Sequence, residues 1–96
     1  GENISSIEIE NVLFKHKDII DAAVVAKKDE KWGEVPCAFV TLKKNSTLKV
    51  NEIIQFCRNN MASYKIPKNI IFGKIDKTPT GKTQKYLLRR KVNLID

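Results

Sequence analysis

Two short apolar runs dominate what this chain can fold into. Residues 19–26 are Ile-Ile-Asp-Ala-Ala-Val-Val-Ala, and residues 37–42 are Cys-Ala-Phe-Val-Thr-Leu. Each is too short for a typical core helix and rich enough in branched and aromatic residues for a buried strand. Residues 27–34 between them are polar and include Gly33, which reads as a turn or loop. The two runs are therefore expected to pair as a hairpin with an eight-residue tip. Strands of this kind need other elements packed on them, and the flanking sequence supplies candidates.

Before the first run, Ser5-Ser6-Ile7-Glu8 fits a capping box, with the Ser5 hydroxyl and the Glu8 carboxylate satisfying free backbone N–H groups. Ile4 and Ile9 stand where a hydrophobic staple would place them. Ile9, Val12, Leu13 and His16 recur at helical spacing, so a helix is predicted over 6–16. After the second run, Asn51 can cap a helix whose apolar stripe is Ile53, Ile54, Cys57 and Met61. Residues 69–73 (Asn-Ile-Ile-Phe-Gly) read as a third strand, and Pro67 discourages a helix running into it. A loop over 76–82 precedes a last helix over 83–92, with Leu87 and Leu88 facing inward and Lys85, Arg89, Arg90 and Lys91 outward. The sum is a single α+β domain over residues 1–96: a small three-stranded sheet, a hairpin plus a third strand, with helices packed on it.

Composition bounds the function. Ninety-six residues suffice for one small domain and one core. No apolar run approaches the roughly 20 residues of a membrane span, and residues 1–20 lack the order of a signal peptide. The cytoplasm is the expected compartment. Cys37 and Cys57 lie among apolar residues and read as two reduced core thiols. Charge is strongly asymmetric. Residues 1–57 carry 8 basic and 9 acidic side chains, whereas residues 58–91 carry 10 basic ones against Asp76 alone, within a net charge of +7. A basic block of this kind attracts phosphate-bearing partners: nucleic acid, nucleotide, coenzyme A or anionic lipid. It also fits a solvated lysine-rich surface.

The catalytic inventory is thin. His16, the one histidine, sits at a helix end and reads as a boundary residue. With two dispersed cysteines it makes no zinc constellation, so no metal site is expected. No Ser/His/Asp or Cys/His arrangement stands out. The loop Thr78-Pro79-Thr80-Gly81-Lys82 differs, because a glycine that permits a sharp change of direction presents a lysine beside two hydroxyls. Such a lysine is a cation able to reach an anion. Gly81-Lys82-Thr83 ends like a P-loop, but the phosphate-binding pattern needs glycine where Asp76 stands. The segment offers a lysine finger and no phosphate cradle; a plain surface-turn lysine is the competing reading.

Four motifs in order carry a family resemblance. These are Gly1-Glu2-Asn3-Ile4-Ser5-Ser6-Ile7-Glu8-Ile9-Glu10, Asp29-Glu30-Lys31-Trp32-Gly33-Glu34-Val35-Pro36 with Ala38-Phe39-Val40, Tyr64-Lys65-Ile66-Pro67-Lys68, and Lys77-Thr78-Pro79-Thr80-Gly81-Lys82-Thr83-Gln84-Lys85. The chain resembles the C-terminal domain of the adenylate-forming enzymes: acyl- and aryl-CoA synthetases, firefly luciferases and peptide-synthetase adenylation domains. Asp76 departs from the proline often found there, which alters loop stiffness and leaves the lysine in place. The resemblance implies two half-reactions, ATP-dependent (with magnesium) acyl-adenylate formation and then attack by coenzyme A, with the lobe rotating between them. It implies that Lys82 is the lysine of adenylation, and that Gly1, Glu2, Asn3, Trp32, Arg58, Lys65 and Lys68 belong to the coenzyme A side. It further implies that the ATP and acyl pockets lie in an N-terminal lobe outside these 96 residues, so that the isolated chain is expected to be inactive. That lobe and a carboxylic acid are the expected partners. Two alternatives stand beside this reading: a small basic nucleic-acid-binding domain, and a free-standing protein-interaction module.

Overall fold

The computed structural model describes residues 5–93. Their order is α1 (Ser6–Phe14), β1 (Ile19–Asp29), β2 (Gly33–Leu42), α2 (Val50–Arg58), a 3-10 turn (Ser63–Lys65), β3 (Asn69–Phe72) and α3 (Lys85–Asn93). The three strands form one sheet in the order β1-β2-β3. The β1/β2 pair is antiparallel, and β3 runs parallel to β2. A parallel neighbour requires a crossover, and α2 with the 3-10 turn provides it. The α+β expectation holds, with a mixed sheet.

The sheet is covered on both faces, which is why its central strands read as unbroken apolar runs. On one face Ala22, Val24, Ala38 and Val40 pack with Ile9, Val12 and Leu13 of α1 and Ile53 and Cys57 of α2. On the other, Ala23, Val25, Cys37 and Phe39 pack with Ile75 and with Leu88 and Val92 of α3. The two cysteines thus lie on opposite faces, free and buried. A register shift between Ile19 and Asp21 resets the alternation. It sends Ile19 into the α1/α2 core with Ala22 and Val24 and leaves Ile20 60% exposed.

Several boundaries differ from the sequence reading. The hairpin tip has three residues, Glu30, Lys31 and Trp32, because the ladder continues through polar residues to the Asp29↔Gly33 pair. The Asp29 carboxylate accepts the N–H groups of Lys31 (3.1 Å) and Trp32 (2.9 Å), and Gly33 takes φ +83°, a left-handed conformation that suits glycine in a three-residue hairpin. The first helix ends at Phe14. His16 Nδ1 then accepts the Asp18 N–H at 3.0 Å, and its ring meets Phe56 edge-on at 4.9 Å, the role of a boundary residue.

The capping box at Ser5 is not formed. The Ser5 hydroxyl makes no bond to the helix backbone, and Glu8 is drawn instead to Lys65 at 2.8 Å. Ile4 of the expected staple lies outside the described residues. Lys49, not Asn51, precedes the second helix, because Glu52 in its first turn accepts the Lys49 N–H at 2.8 Å. Met61 falls beyond that helix. In α3, Leu88 packs inward as expected, whereas Leu87 is 41% exposed. Lys85 does not point to solvent: it pairs with Glu10 at 2.6 Å.

The outer edge of β1 is not left bare. Glu10 accepts the Val24 N–H at 2.8 Å, and the Asn93 side chain accepts from Lys28 N–H (2.8 Å) and donates to the Ala26 carbonyl (3.3 Å). Side chains of α1 and α3 thereby satisfy backbone groups that would otherwise invite another strand.

Candidate functional site

The Lys82 loop is a small hairpin. Lys77 bridges Thr83, the Thr78 N–H donates to the Lys82 carbonyl at 2.9 Å, and the Gly81 N–H donates to the Thr78 carbonyl at 2.8 Å. Pro79 suits the first corner because its ring presets φ. Gly81 takes φ +87°, which glycine adopts without cost. The Thr78 hydroxyl accepts the Lys82 N–H at 3.1 Å and lies 3.0 Å from the Thr80 hydroxyl. The two threonines therefore stiffen the turn. Lys82 itself is exposed, and its ammonium has no partner among the described residues.

Three other predicted residues come together at the opposite end of β1. Trp32, Lys65 and Lys68 line one groove of about 370 Å³, floored by Ile9, Val35, Pro36 and Ile66. Trp32 is 66% exposed, so it does not pin the tip by burial; Asp29 organises the tip. The Lys31 ammonium lies 5.1 Å from the Trp32 ring centroid, a cation–π distance. Lys65 is half-buried and paired with Glu8. The hydrogen bond from Lys65 holds the Glu8 carboxyl below the usual carboxylate range, against the opposing effect of desolvation. Lys68 is exposed. Arg58 is not brought to the groove; it lies on α2 with its guanidinium 3.4 Å from the Gln55 side chain. Gly1, Glu2 and Asn3 lie outside the described residues.

The hairpin and the groove are well separated. Lys77 anchors the hairpin to Asp21 at 2.9 Å, near the start of β1, whereas Trp32 follows its last residue. Eight residues of strand span roughly 25 Å. Sequence reasoning missed Asp21, Glu8 and Glu10, each bonded to a lysine more than fifty residues away, a pairing that no local pattern announces. Among the described residues no group of histidine, cysteine or carboxylate side chains could hold a metal ion.

Comparison with known proteins agrees with this architecture. A family model described as "AMP-binding enzyme C-terminal domain" matches residues 8–82. The acetate–CoA ligase CCL3 of Humulus lupulus is 50% identical over 96 residues, covering 95% of this chain and 17% of that protein. The acetate/butyrate–CoA ligase AAE7 of Arabidopsis thaliana, named as peroxisomal, gives the same 50% over 96 residues, again 95% and 17%. Among solved structures, a fatty acyl CoA synthetase of Mycobacterium tuberculosis superposes with a TM-score of 0.87 at 35% identity, over 95% of this chain and 18% of that one. The chain belongs to the AMP-binding enzyme C-terminal domain family. It spans about 17% of the length of the curated relatives it matches.

Proposed function

We propose that this chain is the mobile C-terminal lobe of an ATP-dependent acyl-CoA synthetase, with Lys82 serving acyl-adenylate formation and the Trp32–Lys65–Lys68 groove serving coenzyme A. The observation that carries the reading is the placement of the two clusters at opposite ends of β1. One docking of a rigid lobe of this size presents one end to a catalytic centre, and a second orientation is needed to present the other. Two half-reactions by one lobe fit that geometry.

In the first, the carboxylate of the acid and the α-phosphate of ATP, both anionic, must meet. Phosphorus–oxygen chemistry of this kind depends on positioning and charge neutralisation. Lys82 brings a positive charge on a short, braced hairpin, while the N-terminal lobe holds ATP, its magnesium and the acyl chain. In the second, the thiol of coenzyme A attacks the adenylate carbonyl and AMP leaves. Trp32 offers an exposed ring face for adenine and Lys68 an exposed cation for phosphates, while Lys65, paired with Glu8, contributes its charge only by exchanging that carboxylate for a phosphate. Arg58, Gly1, Glu2 and Asn3 remain candidates on the resemblance alone. The identity of the acid is set in the other lobe.

The nucleic-acid-binding alternative drops out in favour of the family assignment. Among the described residues no helix is long and apolar enough to cross a membrane. The proposed compartment is the cytoplasm, with the peroxisome as the competing site suggested by the name of one relative.

The test uses the full-length enzyme that carries this lobe. Trp32→Ala combined with Lys68→Ala is expected to raise KM for coenzyme A about tenfold or more, as loss of one stacking and one charged contact implies, with ATP–pyrophosphate exchange unchanged. An unchanged KM for coenzyme A would remove the groove from the mechanism.

A further inference from the structure

All three ion pairs described above join an acidic residue of the first 21 positions to a lysine of the basic half: Glu8 to Lys65, Asp21 to Lys77 and Glu10 to Lys85. Two of these lysines flank Lys82. Lys77 opens the hairpin, and Lys85 opens α3 just after it.

Both carboxylates are themselves held in place. Asp21 faces the Lys77 ammonium with one oxygen at 2.9 Å and the other at 3.1 Å, and also accepts its neighbour's N–H, that of Ala22, at 3.0 Å. Glu10 meets Lys85 at 2.6 Å with the same oxygen that accepts the Val24 N–H at 2.8 Å. Their side chains are 21% and 15% exposed. A carboxylate tied to the strand backbone is a fixed post, and a lysine bonded to it is a strap.

We propose that Asp21 and Glu10 are positioning residues that strap both arms of the Lys82 hairpin to β1. This rests on the reading of Lys82 given above. The straps act in two ways. They hold the base of the hairpin against the sheet, so that Lys82 projects from a rigid stem. They also neutralise Lys77 and Lys85, the lysines next to Lys82 along the chain on either side, so that neither competes with it for the anionic substrates. A released Lys77 or Lys85 would compete for the same phosphate in unproductive geometry.

The experiment compares Asp21→Asn, Glu10→Gln and the charge swap Asp21→Lys with Lys77→Asp in the full-length enzyme. Glu10→Gln keeps an acceptor for the Val24 N–H, so the strand edge survives while the charge is lost. Each single variant is expected to slow ATP–pyrophosphate exchange about two- to fivefold, the range of a partly exposed ion pair, with thioester formation from supplied acyl-AMP unchanged. The swap is expected to restore exchange to within about twofold of wild type by re-forming the same pair with reversed polarity. Wild-type exchange in the single variants would overturn the proposal, as would equal loss of both half-reactions or failure of the swap to rescue. Amide hydrogen exchange at Gly81 and Thr78 gives a readout independent of Lys82 chemistry. Even if Lys82→Ala leaves adenylation intact, faster exchange at these amides in Asp21→Asn supports the strap, and unchanged exchange overturns it.

Discussion

Replacing Gly81 by alanine isolates the contribution of the hairpin turn. Gly81 has φ +87°, and a Cβ built there would meet nothing within 4 Å. The substitution therefore creates no clash, and its cost is the left-handed backbone alone, about 1–2 kcal/mol for a residue with a Cβ. Opposing it are the Gly81-to-Thr78 and Thr78-to-Lys82 backbone bonds, each worth roughly 1 kcal/mol net. The penalty is of the same size as what closes the turn, so an open form becomes populated. If adenylation needs the closed turn, its rate falls by up to about twofold, because at equal energies half of the molecules still hold the turn closed. The same penalty falls on the folded lobe and should lower its Tm by several degrees, about 4–8 °C per kcal/mol for a domain of this size, while both apolar clusters stay intact because Gly81 lies outside them. Asparagine tolerates φ > 0, as Asn45 does in this chain at φ 71°, so Gly81→Asn should recover most of the loss. The assay is ATP–pyrophosphate exchange in the full-length enzyme, with amide exchange at Gly81 in the lobe. Wild-type exchange in the alanine variant, or an asparagine variant as impaired as alanine, would refute the reasoning.

Both cysteines should be slow toward a thiol reagent in the native chain and fast after unfolding in guanidinium. Burial pushes the Cys57 thiol up to about 11 and also raises Cys37, for which nearby Lys27 works the other way; rapid native labelling of either would contradict the described core. Glu8 should titrate below the ordinary carboxylate range, which carboxyl NMR on the lobe can follow. Because its pKa is lowered in the folded state, the Glu8–Lys65 pair stabilises above the unfolded value and is lost as pH falls through the folded one. Lys65→Met should return the Glu8 midpoint toward the ordinary range, and an unmoved midpoint would show that Lys65 is not the cause.

Much of the architecture was legible because burial on both faces of β1 and β2 leaves continuous apolar runs, and because α1 and α2 carry apolar stripes. The hairpin tip was misjudged for a related reason. Lys27, Lys28 and Asp29 are polar yet remain in the ladder, since backbone pairing continues past the core and the Asp29 carboxylate closes the turn. The placement of Ile20 depended on a register shift that leaves no local mark. The inward turn of Lys85 was hidden as well: a lysine at a helix start looks solvated until a carboxylate from a distant helix is brought beside it. Gly81 and its threonines made Lys82 a candidate, and the motif order raised it above a surface-turn lysine. The basic second half, which suggested a phosphate-bearing partner, turns out to supply the lysine partner in the ion pairs described here with Glu8, Glu10 and Asp21 of the first half.

The central claim is that Lys82 acts in adenylation and not in thioester formation. The direct measurement is Lys82→Ala in the full-length enzyme, with the two half-reactions followed separately. Loss of a preorganised charge at the reacting anions should cut ATP–pyrophosphate exchange by on the order of 10²–10³-fold, while thioester formation from supplied acyl-AMP proceeds at the wild-type rate. Equal loss of both half-reactions, or exchange at the wild-type rate, would contradict it.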